Sequence, residues 1–197
     1  MKIEIKPLKK KIAILISGKG TNMEAIIKDS KTINYPGIVK FVLSNNPDAL
    51  GIIKAKNLGI KTFVFPVNKN HSMEIFEKRL LNLLIKEKIE LICLAGFMKI
   101  LPTYFIKSYT GKIVNIHPSL LPKYKGLNTH KRVIMNNEKF TGCTIHYVNR
   151  FLDSGKIIIQ KKVRITKKDT NKSIEKKVLK IEHSIYPKTI DKILSTL

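Results

Sequence analysis

The chain has 197 residues, 43% of them hydrophobic, which suffices for a packed interior and excludes a disordered chain. The 38 Lys and Arg residues against 14 Asp and Glu give a net charge of +24, and no apolar run approaches the ~20 residues that a membrane-spanning helix needs. The two cysteines, Cys93 and Cys143, have neither disulfide-framework nor zinc spacing, which fits a reducing cytoplasm.

Residues 1–11 are basic and lead into Ile12-Ala13-Ile14-Leu15-Ile16-Ser17, an arrangement that begins like a signal peptide. The apolar run is too short for one, and Gly18-Lys19-Gly20 stands where a small-residue cleavage site belongs, so a lead into a buried strand is expected. Residues 11–17 form a continuous apolar run before glycines, the pattern of a strand covered on both faces. Thr21-Asn22-Met23-Glu24 has capping-box spacing and predicts a helix over 22–30. A strand is expected at 38–43, then a helix over 49–57 capped by Asp48 and ended by Gly59. A third strand is expected at 60–65, halted by Pro66. Apolar residues at 73, 76, 80, 83 and 84 predict a helix over 72–87. Strands follow at 89–95 and 112–116. This alternation of strand and helix implies βαβ units and a mostly parallel sheet.

The pattern changes beyond residue 126. A helix over 128–136 precedes β-rich runs at 141–148 and 156–165, and their short polar link predicts an antiparallel extension. A final helix is expected over 171–195, with a bend at Pro187. No repeat or linker interrupts the chain. One domain over 1–197 is expected, with a nucleotide-binding-like half at about 11–126 and a second half at about 127–197 that completes the site.

Three segments are candidates for chemistry. Ser17-Gly18-Lys19-Gly20-Thr21-Asn22 joins a strand to a helix, where amides at the positive end of a helix dipole suit a phosphate; a plain tight turn is the alternative. The dinucleotide fingerprint fails, because Met23 replaces its third glycine and Ser44-Asn45-Asn46 replaces its acidic residue. Asn115 and His117 follow a buried strand and share one face of it, an amide beside a titratable donor that suits an oxyanion; a capped strand end is the alternative. Asp153 precedes Gly155 as a turn former does, or as a carboxylate that reaches His117 and orients it. Among other residues, His71 reads as solvated, His130 as a helix cap or site neighbour, and His146 as either a satisfied sheet residue or a ligand contact. Glu182 reads as a helix-surface charge or as a partner for an amine. No metal-ligand spacing and no nucleophile elbow occurs.

In these segments the sequence resembles the glycinamide ribonucleotide formyltransferase family. The blocks are LISGKGTN at 15–22, LAGFMKIL at 94–101, NIHPSLLPKYKGLNTH at 115–130, TGCTIHYV at 141–148, LDSGKIIIQ at 152–160 and EHSIYP at 182–187. They extend from Ile12 to about Ile190. The resemblance implies a Rossmann-like, mostly parallel twisted sheet flanked by helices, with a C-terminal antiparallel extension and a final helix. It implies formyl transfer from 10-formyltetrahydrofolate, a cosubstrate, to glycinamide ribonucleotide, without a metal. By resemblance, Asn115, His117 and Asp153 are catalytic: His117 is the general acid, Asn115 assists at the oxyanion, and Asp153 raises the His117 pKa and manages proton transfer. Gly20, Thr21, Asn22, Leu179, Lys180, Ile181 and Glu182 hold the ribonucleotide. Met98, Lys99, Ile100, Leu101, Asn115, Asn149, Arg150, Phe151, Leu152 and Asp153 line the folate site.

The sequence departs from the family at three places. Lys99 stands where Arg is frequent, replacing a planar fork by a point charge. Met73 lies roughly where some members have an Arg at the folate tail, and Asn149-Arg150-Phe151 fills a loop that is usually more acidic. Three other activities compete with this reading. Methionyl-tRNA formyltransferase is favoured by the charge, but GLNTH and the lack of room for a tRNA-binding second domain oppose it. Formyltetrahydrofolate hydrolase is opposed by the missing regulatory module. A basic RNA-binding protein without catalysis is opposed by the scattered aromatics and the absence of Trp. The lysines are dispersed, and Arg occurs only at 79, 132, 150 and 164, so small-molecule partners and a cytoplasmic monomer or weak homodimer are expected.

Overall fold

The computed structural model describes residues 8–67 and 72–197. The expected solvation of His71 and the basic residues 1–7 fall outside that range. Seven strands form one sheet in the order β3-β2-β1-β4-β5-β6-β7. Strands β1 (Lys10–Ile16), β2 (Gly37–Ser44), β3 (Thr62–Val64), β4 (Leu91–Leu94) and β5 (Lys112–His117) run parallel. Strands β6 (Phe140–Tyr147) and β7 (Ile157–Arg164) are antiparallel additions at one edge. The parallel sheet and the antiparallel extension are as the sequence predicts.

The period of two along β1 divides the core. Ile12, Ile14 and Ile16 join one apolar cluster, while Ala13 and Leu15 join the other on the opposite face. The first face is covered by α1 (Thr21–Ser30), α2 (Leu50–Asn57) and α6 (Asn171–Leu194), and the second by α3 (Met73–Lys86) and α4 (Thr103–Ser108). Helix α5 (Thr129–Met135) precedes β6. Along α6 the buried residues Ile174, Val178, Glu182, Tyr186 and Ile190 recur every fourth position, a stripe facing the sheet. Glu182 is the one carboxylate in that stripe. Helix α6 continues through Pro187, and its start carries a full capping box between Thr170 and Ser173.

Two helix starts differ from expectation. Thr21 is helical rather than a cap. Gly20, left-handed at φ 69°, is the N-cap, and no side chain caps this end. A Cβ on Gly20 would come within 2.8 Å of the Gly51 Cα, so the turn needs glycine both for its φ and for its contact with α2. Asp48 does not cap α2 either. The N-cap is Ala49, because Asn46 closes the preceding turn by accepting from the Asp48 N–H and, through its carbonyl, from the Ala49 N–H. Helix α4 was not expected at all.

Gly142 pairs across from Lys162 with no space for a side chain. A Cβ there would lie 1.9 Å from the Lys161 carbonyl oxygen and 2.8 Å from Leu120 Cδ2. Gly142→Ala is predicted to lower Tm by roughly 2–12 °C, the effect of ~1–3 kcal/mol of overpacking in a chain of this size. A thermal scan that finds Tm unchanged would contradict the close β6–β7 packing.

Candidate active site

A cavity of about 780 Å³ opens at the carboxyl ends of the parallel strands. The turn after β1 forms one wall. The first intrahelical bond of α1 runs from Glu24 N–H to the Gly20 carbonyl at 3.0 Å, so the Thr21, Asn22 and Met23 amides have no partner within the helix. Ser17 anchors this turn to two other loops. Its Oγ donates to Asn45 Oδ1 and accepts from the Met98 N–H at 2.8 Å, and Asn46 Nδ2 donates to its carbonyl. The Asn45-Asn46 pair, where a dinucleotide fold would carry its acid, is thus occupied in holding the turn.

A second wall comes from the β5–β6 pair. Asn115 pairs directly with His146 and His117 with Thr144, so all four side chains share one face of the sheet. Thr144 is fully buried. Its hydroxyl donates to the Ser119 carbonyl at 2.7 Å and accepts from Leu121 N–H and Gln160 Nε2, which uses its entire hydrogen-bonding capacity. That fixes the loop after His117, whose Tyr124 carbonyl accepts from His117 Nε2 at 2.8 Å. Asp153 approaches from the β6–β7 link in the left-handed conformation, φ 45°, which Asp tolerates. Its Oδ2 accepts from the Gly126 N–H at 2.8 Å and lies 3.4 Å from His117 Nδ1.

Both nitrogens of His117 therefore face acceptors, and the ring is 6% exposed. Burial pulls its pKa below the usual 6.5; the Tyr124 carbonyl and Asp153 pull upward without restoring it. Asp153 does favour the imidazolium, as expected, but desolvation is the larger effect and the net direction is down. The Asp153 carboxyl shows the reverse balance. Burial pushes it up, while His146, the Gly126 N–H and His117 hold it below the usual range. On α6, burial raises the pKa of Glu182, whose carboxylate accepts from Asn22 Nδ2 at 2.7 Å.

The cavity is lined by ten of the residues singled out from the sequence: Asn22, Met98, Lys99, Ile100, Asn115, His117, Leu152, Asp153, Leu179 and Glu182. Gly20 and Thr21 stand behind Asn22 in the turn. Leu101 is buried in the core instead. Lys180 is exposed and Ile181 packs toward the sheet, because the α6 face on the cavity is Glu175, Val178, Leu179 and Glu182 at spacings of three and four. Asn149, Arg150 and Phe151 lie outside the lining: Asn149 closes its own loop onto Phe151 N–H and the Ser154 carbonyl, and the Arg150 guanidinium sits 4.6 Å from the Phe151 ring. Met73, at the start of α3, is also absent from the lining.

The sequence reading left several lining residues unassigned. His130 is a site neighbour rather than the α5 cap, which is Asn128. Its pKa is lowered by burial, and Glu175 pulls it back up. Gly126, Leu127, Lys131 and Asn171 also line the cavity. His146, 2% exposed, joins the cluster of Asn115 and Asp153, at 3.2 Å from Asn115 Nδ2 and 3.7 Å from Asp153 Oδ1. Its alternation with Thr144 in β6 was a signal for this, but only the strand register shows what it faces. Among the described residues no helix is long and apolar enough to cross a membrane.

Residues 10–190 match the protein family described as Formyl transferase. The phosphoribosylglycinamide formyltransferase of Escherichia coli (strain K12) is 40% identical over 179 residues, covering 91% of this chain and 84% of that protein. The trifunctional purine biosynthetic protein adenosine-3 of Gallus gallus is 40% identical over 192 residues. That is 98% of this chain, which spans only 19% of the trifunctional relative's length. The crystal structure of phosphoribosylglycinamide formyltransferase from Brucella melitensis superposes with a TM-score of 0.89 at 40% identity, covering 95% and 96% of the two chains.

His117 is predicted to titrate below pH 6.5 in the free protein, and Asp153→Asn to move its midpoint lower still, since the carboxylate is one of the two groups that raise it. Imidazole NMR against pH measures both. A midpoint above 6.5, or an upward move in the Asn variant, would contradict this account of the ring's environment.

Proposed function

The chain belongs to the formyl transferase family, and on that premise we propose that it transfers the formyl group of 10-formyltetrahydrofolate to the amino group of phosphoribosylglycinamide, in de novo purine synthesis. The observation that carries the reading is a single cavity lined by an anion-type turn with a buried carboxylate and, with them, the Asn115–His117–Asp153 cluster. We further propose that residues 1–197 act as one domain, in the cytoplasm, on small-molecule substrates.

The free amides of Thr21 and Asn22 and the positive end of α1 suit the acceptor's phosphate. Among the described residues Glu182 has Asn22 as its one hydrogen-bond partner and no cation beside it, so a substrate nitrogen would supply a second partner. The half-exposed apolar side chains of Met98, Ile100 and Leu152 suit a planar pterin, and Lys99 at the rim suits an anionic tail.

In the reaction the acceptor nitrogen bonds to the formyl carbon, a tetrahedral oxyanion forms, and its collapse breaks the carbon–N10 bond as N10 takes a proton. Asn115 and His117 supply N–H groups to the oxyanion. For His117 this means handing over the Nε2–H now held by the Tyr124 carbonyl. Asp153, kept ionised at neutral pH, receives the proton lost by the attacking nitrogen, through His117 or a water, and gives it up by the same route to N10 as the carbon–N10 bond breaks. Positioning two bound reactants and stabilising the oxyanion would each contribute several kcal/mol.

Single-turnover transfer is predicted for the wild type, with a loss of about 10²-fold or more in His117→Ala. Glu182→Gln is predicted to weaken acceptor binding about 10-fold and leave folate binding unchanged. A wild type that ignores this acceptor but consumes the folate with water or with charged tRNA would show that the acceptor is wrong. Salt-sensitive retention of nucleic acid without transfer would favour a binding protein instead.

A further inference from the structure

Asn115 presents either an acceptor or a donor to its surroundings, depending on which way its amide is turned, and the cluster contains a group that decides between them. His146 is its direct cross-strand partner. The His146 Nδ1 lies 2.9 Å from the Tyr147 carbonyl oxygen, which only accepts, so Nδ1 carries a proton. In the neutral ring Nε2 is then a bare acceptor, and the group 3.2 Å from it on Asn115 must be the NH₂ end. Asp153 Oδ1, 3.5 Å from the same Nδ2, adds a second acceptor on that side and opposes the flipped amide, whose oxygen would face both lone pairs.

An irregularity lies beside His146. Between Ile145 and His146 the β6–β7 register slips: Ile145 pairs with Ile159 and His146 with Ile157, leaving Ile158 as the extra residue. Bulges of this kind re-aim side chains beside active sites. His146 does not itself line the cavity, and Asn115 does.

We infer that His146 is a positioning residue for formyl transfer: its fixed tautomer holds the Asn115 amide with nitrogen toward the Asp153 side, so that one N–H is engaged by His146 and the other, in the longer 3.5 Å contact to Asp153, is the one handed to the developing oxyanion. The inference rests on the role of Asn115 proposed above. The part of its effect that runs through Asn115 vanishes when Asn115 is absent, and what remains is its influence on the Asp153 carboxylate 3.7 Å away.

A double-mutant cycle tests this, read as single-turnover rate with both substrates saturating. His146→Leu is predicted to lower the rate about 10-fold in the wild-type background, within the range of coupling between contacting residues, while substrate affinities stay within about 2-fold. In Asn115→Ala the same change is predicted to cost less than about 2-fold. His146→Gln, which keeps an acceptor near the Nε2 position, recovers part of the loss. Equal losses in both backgrounds would overturn the inference, as would full activity of His146→Leu. Imidazole ¹⁵N NMR of the unmodified protein gives a reading independent of activity and of variant folding: a protonated Nδ1 with a bare Nε2 supports the inference, and a protonated Nε2 overturns it. An inactive wild type would count against the proposed reaction, leaving the tautomer to decide this point.

Discussion

The antiparallel pairing of β6 onto β5 is the constraint on which the site depends. The parallel strands alone would present Asn115 and His117 at a strand end with nothing to orient them. Pairing at Asn115–His146 and His117–Thr144 brings one histidine against the amide and one hydroxyl under the loop that holds the other histidine. The hairpin that follows delivers Asp153 to the same place. A shift of one residue in this register would turn His146 and Thr144 to the opposite face of the sheet and dismantle the cluster.

The chemistry of the cluster is set by competition between burial and nearby partners. Desolvation lowers the pKa of His117 despite an adjacent carboxylate, while three neighbours overcome the same desolvation at Asp153. The result is a histidine neutral at neutral pH beside a carboxylate that stays charged. Such a pair is suited to moving a proton during the reaction rather than storing one beforehand. At Glu182 desolvation wins, because its hydrogen-bond partner among the described residues, Asn22, offers a neutral amide. Among the described residues no lysine forms an ion pair with that carboxylate, in a chain of net charge +24.

Much of this organisation was legible in the sequence. The buried runs at 11–17 and 112–116 read as strands because both faces are covered, and the period changes after residue 126 where the antiparallel strands begin. Glu182 was legible as more than a surface charge, since it stands four residues from Val178 and four from Tyr186 in the buried stripe of α6. Other features were not. Helix α4 has six residues, too few for a period to show. The Gly20 cap depends on contact with Gly51, and the place of His146 depends on cross-strand register, both long-range facts. The resemblance names Leu179 to Glu182 as one block, whereas the helix turns Lys180 and Ile181 onto faces away from the cavity.

The central claim is that both reactants occupy one cavity and exchange the formyl group directly. Following the carbon of [¹³C]formyl-tetrahydrofolate by NMR during a single turnover tests it most directly. The account predicts that the label appears on the nitrogen of phosphoribosylglycinamide with no free formate and no protein-bound carbon. Label recovered as formate, or attached to the chain, would contradict it.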